Sequence, residues 1–387
     1  MKMATELIQS AVDVGDDAAP LTTPIYETTT FVFANAQEVL DYNEGRSQKF
    51  LYSRYANPTV LAVEQRIAAL EGAERALVMS SGQAATTNAL LALLKAGDEV
   101  VCSSAVYGGT LHLIKDLLAK FDIRARFTAL DDLRRPESVL TPATRLLWFE
   151  SPINPTLRCV DIAPVAAACR ARGVISVIDN TFASPINQQP IALGVDLVMH
   201  SATKYLNGHS DVTAGVLVGS NERIEKILSA RKLLGAVLDP YAAYALGRGL
   251  KTLSVRVSRH NANAMAVAEW LEQSGRVEKV YYPGLKSHPD HQIAVRQMRG
   301  FGGMVCVDVG GGYDRAARFF DRLKVFRRAA SLGGVESLCS LPVLTSQWGH
   351  SEEELTRAGV TRSMARLSVG LEDVEDLIGD LDQALKI

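Results

Sequence analysis

The stretch 200–215 reads HSATKYLNGHSDVTAG and gathers an amine and several hydroxyls into a few residues. Lys204 follows an apolar run, GVDLVM over 194–199, with the length of a buried strand. A lysine placed there is a solvated loop charge, a phosphate clamp or a nucleophile. Free lysine titrates near about 10.4, so it is a poor nucleophile at neutral pH unless desolvated or set beside other cations. The preceding strand offers desolvation, and Ser201 and Thr203 supply hydroxyls at alternate positions, suited to one anion. One loop with an amine and an anion cradle suits a phosphorylated aldehyde cofactor; spacing alone leaves all three readings open.

Other residues could serve the same chemistry. Gly82, in SSGQAATTNALLALL, follows a strand pattern and opens a helix pattern. Backbone N–H groups at a helix N-terminus can hold a phosphate, which a glycine allows to approach closely; a plain strand–helix turn reads equally well. Asp179, in VIDNTF, either caps a turn or offers a carboxylate to a protonated ring nitrogen, which is worth much only when partly buried. Tyr107, in VYGGT, is a core tyrosine or an aromatic plate and proton donor beside two flexible glycines. Arg366, in MARLSVG, lies inside a strand-like apolar run, where a buried guanidinium needs an anion. That anion is a substrate carboxylate held by two parallel bonds or an acid of the same chain. His200, His209 and His350 have no spacing to carboxylates that suits a metal, and none is expected.

These residues need a scaffold, and the patterning predicts an α/β protein. Val60, Val63, Ile67 and Leu70 form a helical stripe that stops at Gly72. ALVMSS, DEVVCSS, TRLLWFES, GVISVIDNTF, VDLVMHS and AGVLVGS are short apolar runs separated by helical patterns. Strands apolar on both faces predict a mostly parallel sheet covered by helices. In such sheets ligands collect beyond the carboxyl ends of the strands. Ser80–Ser81, Glu150, Asp179–Asn180 and Ser201–Lys204 should therefore converge on one crevice.

Beyond about residue 245 a long helix over 256–272, GFGGMVCVDVGGG and a final amphipathic segment predict a smaller C-terminal α/β domain. FGGM and GGG read as turns with no helix after them, and no dinucleotide site is expected. The expected division is an arm over 1–55, whose Ile25, Tyr26, Phe31, Val32 and Phe33 need burial, a ligand-binding domain over 56–245 and a C-terminal domain over 246–387.

The bulk properties exclude several function classes. A chain of 387 residues exceeds one small core. A net charge of −2 gives no electrostatic case for nucleic acid or an anionic membrane. Five cysteines without a Cys-x-x-Cys pair argue against a disulfide framework, and no apolar run reaches the roughly 18 residues of a membrane span. The N-terminus turns acidic where a signal peptide would be apolar, so a cytoplasmic location is expected.

Eight segments then match a known family in order: YSRYANPT, SSGQAA, VYGGT, FESPINPT, VIDNTFASP, HSATKYLNGHSDVTAG, AASLGGVESL and ARLSVGLED. From about Thr22 onward the chain resembles the Cys/Met-metabolism family of pyridoxal-phosphate enzymes. The resemblance implies a fold-type I, aspartate-aminotransferase-like architecture, assembled as a homotetramer of two dimers with shared active sites. It implies that Lys204 carries pyridoxal phosphate covalently, that Asp179 pairs with the ring nitrogen, and that Gly82, Gln83, Ser201 and Thr203 hold the phosphate. Tyr52 and Arg54 would complete that phosphate site in the neighbouring subunit, and Tyr107 would stack on the ring and transfer protons. Arg366, Asn154 and the backbone near Ser331 would bind a substrate α-carboxylate.

The implied activity is γ-elimination or γ-replacement on a sulfur-containing amino acid, most like the family's cystathionine γ-lyases and γ-synthases. Methionine γ-lyase or O-acylhomoserine sulfhydrylase is the alternative, and a non-catalytic scaffold of the same fold a remote one. Gly109, His112, Lys232, Ala330 and Trp348 stand where members of the family differ.

Overall fold

A computed structural model of the chain describes residues 2–9 and 20–386. The acidic N-terminal stretch with Asp13, Asp16 and Asp17 lies outside the described residues.

The first sheet has seven strands: β1 (Arg75–Met79), β2 (Glu99–Ser103), β3 (Arg124–Thr128), β4 (Thr144–Glu150), β5 (Ile175–Asp179), β6 (Leu197–Ser201) and β7 (Gly215–Gly219). Their order is β1-β7-β6-β5-β4-β2-β3. Only β7 runs against its neighbours, so it begins at the edge where β1 and β6 end: Gly215 faces Met79 on one side and Ser201 on the other. Glu150 and Asp179 are paired at the ends of β4 and β5. The strand ends converge as the patterning requires. β3, RARFT, is an edge strand and leaves Arg124, Ala125 and Phe127 exposed.

Helix ends follow local chemistry. Asn57 caps the helix Pro58–Glu71 by accepting from the Thr59 N–H, Pro58 sits where no N–H is needed, and Gly72 closes it at φ 66°. Ser81 caps the helix Gly82–Leu93 through the Ala84 N–H, 3.0 Å away. The stripe Val63, Ile67 and Leu70 is buried against the first sheet's core.

The second sheet has the order β10-β11-β12-β9-β8, from β8 (Lys279–Tyr281), β9 (Met304–Asp308), β10 (Arg327–Arg328), β11 (Leu338–Ser340) and β12 (Met364–Ser368). The helices Leu253–Gln273 and Val374–Ala384 contribute Val267, Leu271, Leu377 and Leu381 to its separate core. The triple glycine is not followed by a turn alone: the helix Gly312–Arg322 starts at its last member. Ala316 and Phe319 are buried and the charges face out, a narrow apolar face that DRAARFFDR conceals.

The segment before Pro58 carries one short helix besides its terminus, Ala36–Asn43, and a single bridge between Thr30 and Tyr52. The burial expected of its apolar residues is not met within one chain: Val32 is 91% exposed and Ile25 is 38% exposed. Among the described residues no helix is long and apolar enough to cross a membrane.

The antiparallel entry of β7 leaves no room at its first residue. A Cβ on Gly215 would overlap the Ser81 carbonyl and lie 2.8 Å from the Gly82 nitrogen, both backbone atoms. Gly215→Ala is therefore expected to lower the unfolding free energy by about 3 kcal/mol, read as a lower urea midpoint at unchanged slope.

Candidate active site

Lys204 sits in a tight turn after β6, where its N–H donates to the Ser201 carbonyl and its own carbonyl accepts from the Gly208 N–H at 2.8 Å. The side chain is half-buried, and Nζ donates to the Ser331 hydroxyl at 3.0 Å. Burial, and then the nearby Arg366 charge, hold the amine below the ordinary lysine value.

Arg366 lies on β12, buried to 8% exposure. Its guanidinium donates to Asn154 Oδ1 at 3.1 Å and to the Ser331 carbonyl at 3.3 Å. Among the described residues no carboxylate forms an ion pair with it, which disposes of the internal salt bridge as its reason for burial. Ser331 thus touches both the Lys204 amine and the Arg366 guanidinium, and Asn154 joins them from the turn after β4.

Asp179 is buried at the end of β5. Its Oδ1 accepts from the Thr181 N–H at 3.0 Å and the Thr181 hydroxyl at 2.5 Å. Burial raises its carboxyl above the usual range, while the Thr181 donors and His200 pull it back. Thr181 also accepts the Ser201 N–H at 2.8 Å, so it ties β5 to the Lys204 loop. Behind this layer His200 Nε2 meets Glu71 Oε1 at 2.5 Å in a buried pair, and Asn180 donates to the same oxygen. His209 is bound to its own turn through the Asn207 carbonyl.

The anion cradle lies at the N-terminus of the helix Gly82–Leu93. A Cβ on Gly82 would stand 3.1 Å from Ser201 Cβ and 3.2 Å from its hydroxyl, so only glycine leaves the helix end open towards Ser201. Thr203 is less available than its spacing suggests: its hydroxyl donates to the Ala214 carbonyl and accepts from the Ala214 N–H. Gln83 meets Tyr107 across Gly109, where an added Cβ would lie 2.6 Å from Tyr107 Cε1 and 2.9 Å from Gln83 Nε2. The Tyr107 side chain is 51% exposed, which rules out the core reading, and its backbone N–H donates to Glu150 Oε2 at 2.8 Å.

Tyr52 and Arg54 stand apart from this group. Arg54 lies over the rings of Tyr52 and Tyr55 and donates to the Lys232 carbonyl at 3.0 Å. Among the described residues neither bonds to Lys204, Asp179 or Ser201. Of the positions where family members differ, His112 pairs with Asp116 at the surface and Trp348 is 74% exposed. Thr181, Glu71 and a contact role for Glu150 escaped the sequence reading. Only Thr181 had a signal, a hydroxyl two residues after an aspartate that can close a turn on its carboxylate.

Comparison with known proteins agrees with this geometry. Residues 4–386 match the family model described as Cys/Met metabolism PLP-dependent enzyme. The chain is 42% identical over 385 residues to L-methionine gamma-lyase from Pseudomonas putida, covering 99% of this chain and 97% of that one. It is 46% identical over 344 residues to mouse cystathionine gamma-lyase, covering 88% and 86%. A crystal structure of metB from Corynebacterium glutamicum superposes with a TM-score of 0.92 at 38% identity, covering 100% of this chain and 98% of that one. The chain belongs to the Cys/Met-metabolism family of pyridoxal-phosphate-dependent enzymes, with their mostly parallel α/β architecture.

Proposed function

We propose that this enzyme cleaves or exchanges the γ-substituent of a sulfur-containing amino acid, as a cystathionine γ-lyase or γ-synthase does. One observation carries the reading: a partly buried amine and a buried guanidinium without a carboxylate are bridged by Ser331. An α-amino acid has the two matching groups, a carboxylate for Arg366 and an amine at the carbon facing Lys204.

The residues fit pyridoxal phosphate. The helix end at Gly82 is open towards the Ser201 hydroxyl, which suits the phosphate, with Gln83 and Thr203 beside it. Asp179, buried and held by Thr181, would pair with the ring nitrogen, and the exposed Tyr107 side chain would cover the ring. When bound, the cofactor supplies an aldehyde that condenses with amines and a ring that withdraws electrons from the substrate's α-carbon.

The chain's own groups do the rest. Arg366 and Asn154 hold the α-carboxylate, which fixes the α-carbon relative to Lys204. Lys204, whose free-amine form is favoured by burial and then by the Arg366 charge, takes the α-proton. Once it has passed the α-proton on, Lys204 takes a β-proton, the bond from Cγ to sulfur breaks, and the Tyr107 hydroxyl gives the leaving thiolate its proton. Water then completes elimination to 2-oxobutyrate and ammonia, or an incoming thiol adds at Cγ and completes replacement.

Two features support a shared site in a homotetramer: among the described residues Tyr52 and Arg54 make no bond to their own chain's Lys204, and Val32 and Ile25 are left uncovered. The arm of 1–55 would then lie on a second copy, with 56–245 carrying the cofactor and 246–387 the smaller sheet. All five cysteines are buried and free, which fits the reducing cytoplasm.

The purified protein should be yellow, and Lys204→Ala should abolish the absorbance of the bound cofactor. Incubation with cystathionine, methionine, homocysteine and O-acylated homoserines, scoring 2-oxobutyrate against thioether products, decides the reaction. If only an O-acylhomoserine with a thiol reacts, the lyase reading fails and the sulfhydrylase stands.

Labelling of Lys204 by an amine-reactive probe in the cofactor-free protein, followed by peptide mass spectrometry, should show a pH midpoint below about 10.4. The sign follows from burial and a neighbouring cation, both of which disfavour the ammonium form. Arg366→Met removes that cation and should move the midpoint upward. Arg366→Lys keeps a charge but loses the planar fork. It should raise KM for the amino acid about 100-fold or more while the cofactor absorbance persists.

A further inference from the structure

Glu150 has no part in the chemistry assigned so far, yet it occupies the centre of the site. It is the last residue of β4, paired in register with Asp179, and it is 4% exposed. Its Oε2 accepts the backbone N–H of Tyr107 at 2.8 Å, a group outside any sheet ladder that starts the short helix Gly108–His112. The backbone N–H of Asn154, at the next turn, faces the same carboxylate, and Asn154 in turn accepts from Arg366. Among the described residues no lysine or arginine forms an ion pair with Glu150, so no salt bridge explains its burial.

We infer that Glu150 is a positioning residue: its buried carboxyl group fixes the turn that presents Tyr107. The inference rests on the reading of Tyr107 given above. The chemistry requires such a residue. Gly108 and Gly109 follow Tyr107, and neither supplies a side chain to brace the turn. A Cβ at Gly109 would displace the Tyr107 ring, so bracing must come through the backbone. A carboxyl oxygen can accept such an N–H with no side chain on the turn itself. Leaving the part-buried Tyr107 N–H without an acceptor would release the turn or shift it.

Burial, and then the Asp179 charge beside it, push the Glu150 carboxyl well above the usual carboxylate range, with the two N–H groups and Arg366 pulling the other way. A glutamine, of the same length, offers the Tyr107 N–H a similar carbonyl oxygen.

The test compares Glu150→Ala and Glu150→Gln with the parent enzyme. Backbone amide exchange over 105–112 and 152–156 is measured in cofactor-free protein; cofactor absorbance, kcat and KM are measured in holoenzyme with the best substrate of the panel above. In Glu150→Ala, exchange over 105–112 should quicken about tenfold or more. Its kcat should fall and its KM rise, each about tenfold, with cofactor content unchanged. Glu150→Gln should restore slow exchange over 105–112 and bring kcat within about threefold of the parent.

The inference is overturned if Glu150→Ala exchanges and turns over like the parent, or if it loses only thermal stability. It is also overturned if Glu150→Gln exchanges as fast as the alanine variant. A parent that is colourless and inert towards every substrate would refute the proposed function instead, and the exchange comparison would still decide whether Glu150 braces the turn.

Discussion

The site depends on one buried guanidinium that has nothing to do with substrate. Arg256, from the helix Leu253–Gln273, donates to the carbonyls of Tyr205 at 2.8 Å, Gly249 at 2.8 Å and Leu206 at 3.4 Å. Those carbonyls belong to the turn that carries Lys204 and to the end of the helix before it, so a long helix of the second half clamps the loop of the first. The clamp dictates local sequence. A side chain at Gly208 would collide with the guanidinium, and Gly208 also sits at φ 73°. Tyr205 carries the same joint further: its hydroxyl accepts the Gly303 N–H at 3.1 Å, just before β9. The Val335 N–H closes onto the Gly208 carbonyl from the other side. Lys204 therefore lies where the two sheets meet, and the amine can reach Ser331 and Arg366 because both come from the second half.

The charges there are arranged by what is withheld. Arg366 is given neutral partners, an amide oxygen and a carbonyl, where a carboxylate would have neutralised it. Its field falls on Lys204, which favours the free amine. Two carboxyl groups, Glu150 and Asp179, sit side by side at the other end, each raised first by burial. Asp179 alone receives two Thr181 donors and a histidine, so the environment separates the pair into a more acidic and a less acidic member. Like charges packed this closely raise each other's pKa and titrate as a coupled pair.

Much of this was legible before any coordinates. Strand–helix alternation and the polar residues ending each apolar run placed Glu150, Asp179, Ser201 and Lys204 at one edge, because a parallel sheet puts equivalent strand ends together. What escaped is what depends on three-dimensional pairing. No local pattern says that Glu71, at the end of an early helix, lies against His200, or that the Thr203 hydroxyl turns to Ala214. The helix after the triple glycine escaped because its apolar face is only a few residues wide. The arm's apolar residues were expected to be covered, and within one chain Val32 and Ile25 are not.

That last point bears on which reaction completes the chemistry. Relatives of different activity share 42% and 46% identity with this chain, so overall likeness does not separate them. Separation has to come from the rim around Tyr107. There Gly109 admits no side chain without moving Tyr107 or Gln83, and Gly108 faces the Ser346 carbonyl of the turn that carries Trp348. Elimination consumes water only at the α-carbon, where the imine is hydrolysed, whereas replacement requires that a thiol rather than water adds at Cγ. In one chain Tyr107 and Trp348 both stand open to solvent. Within one chain, therefore, neither Tyr107 nor Trp348 seals that rim against water.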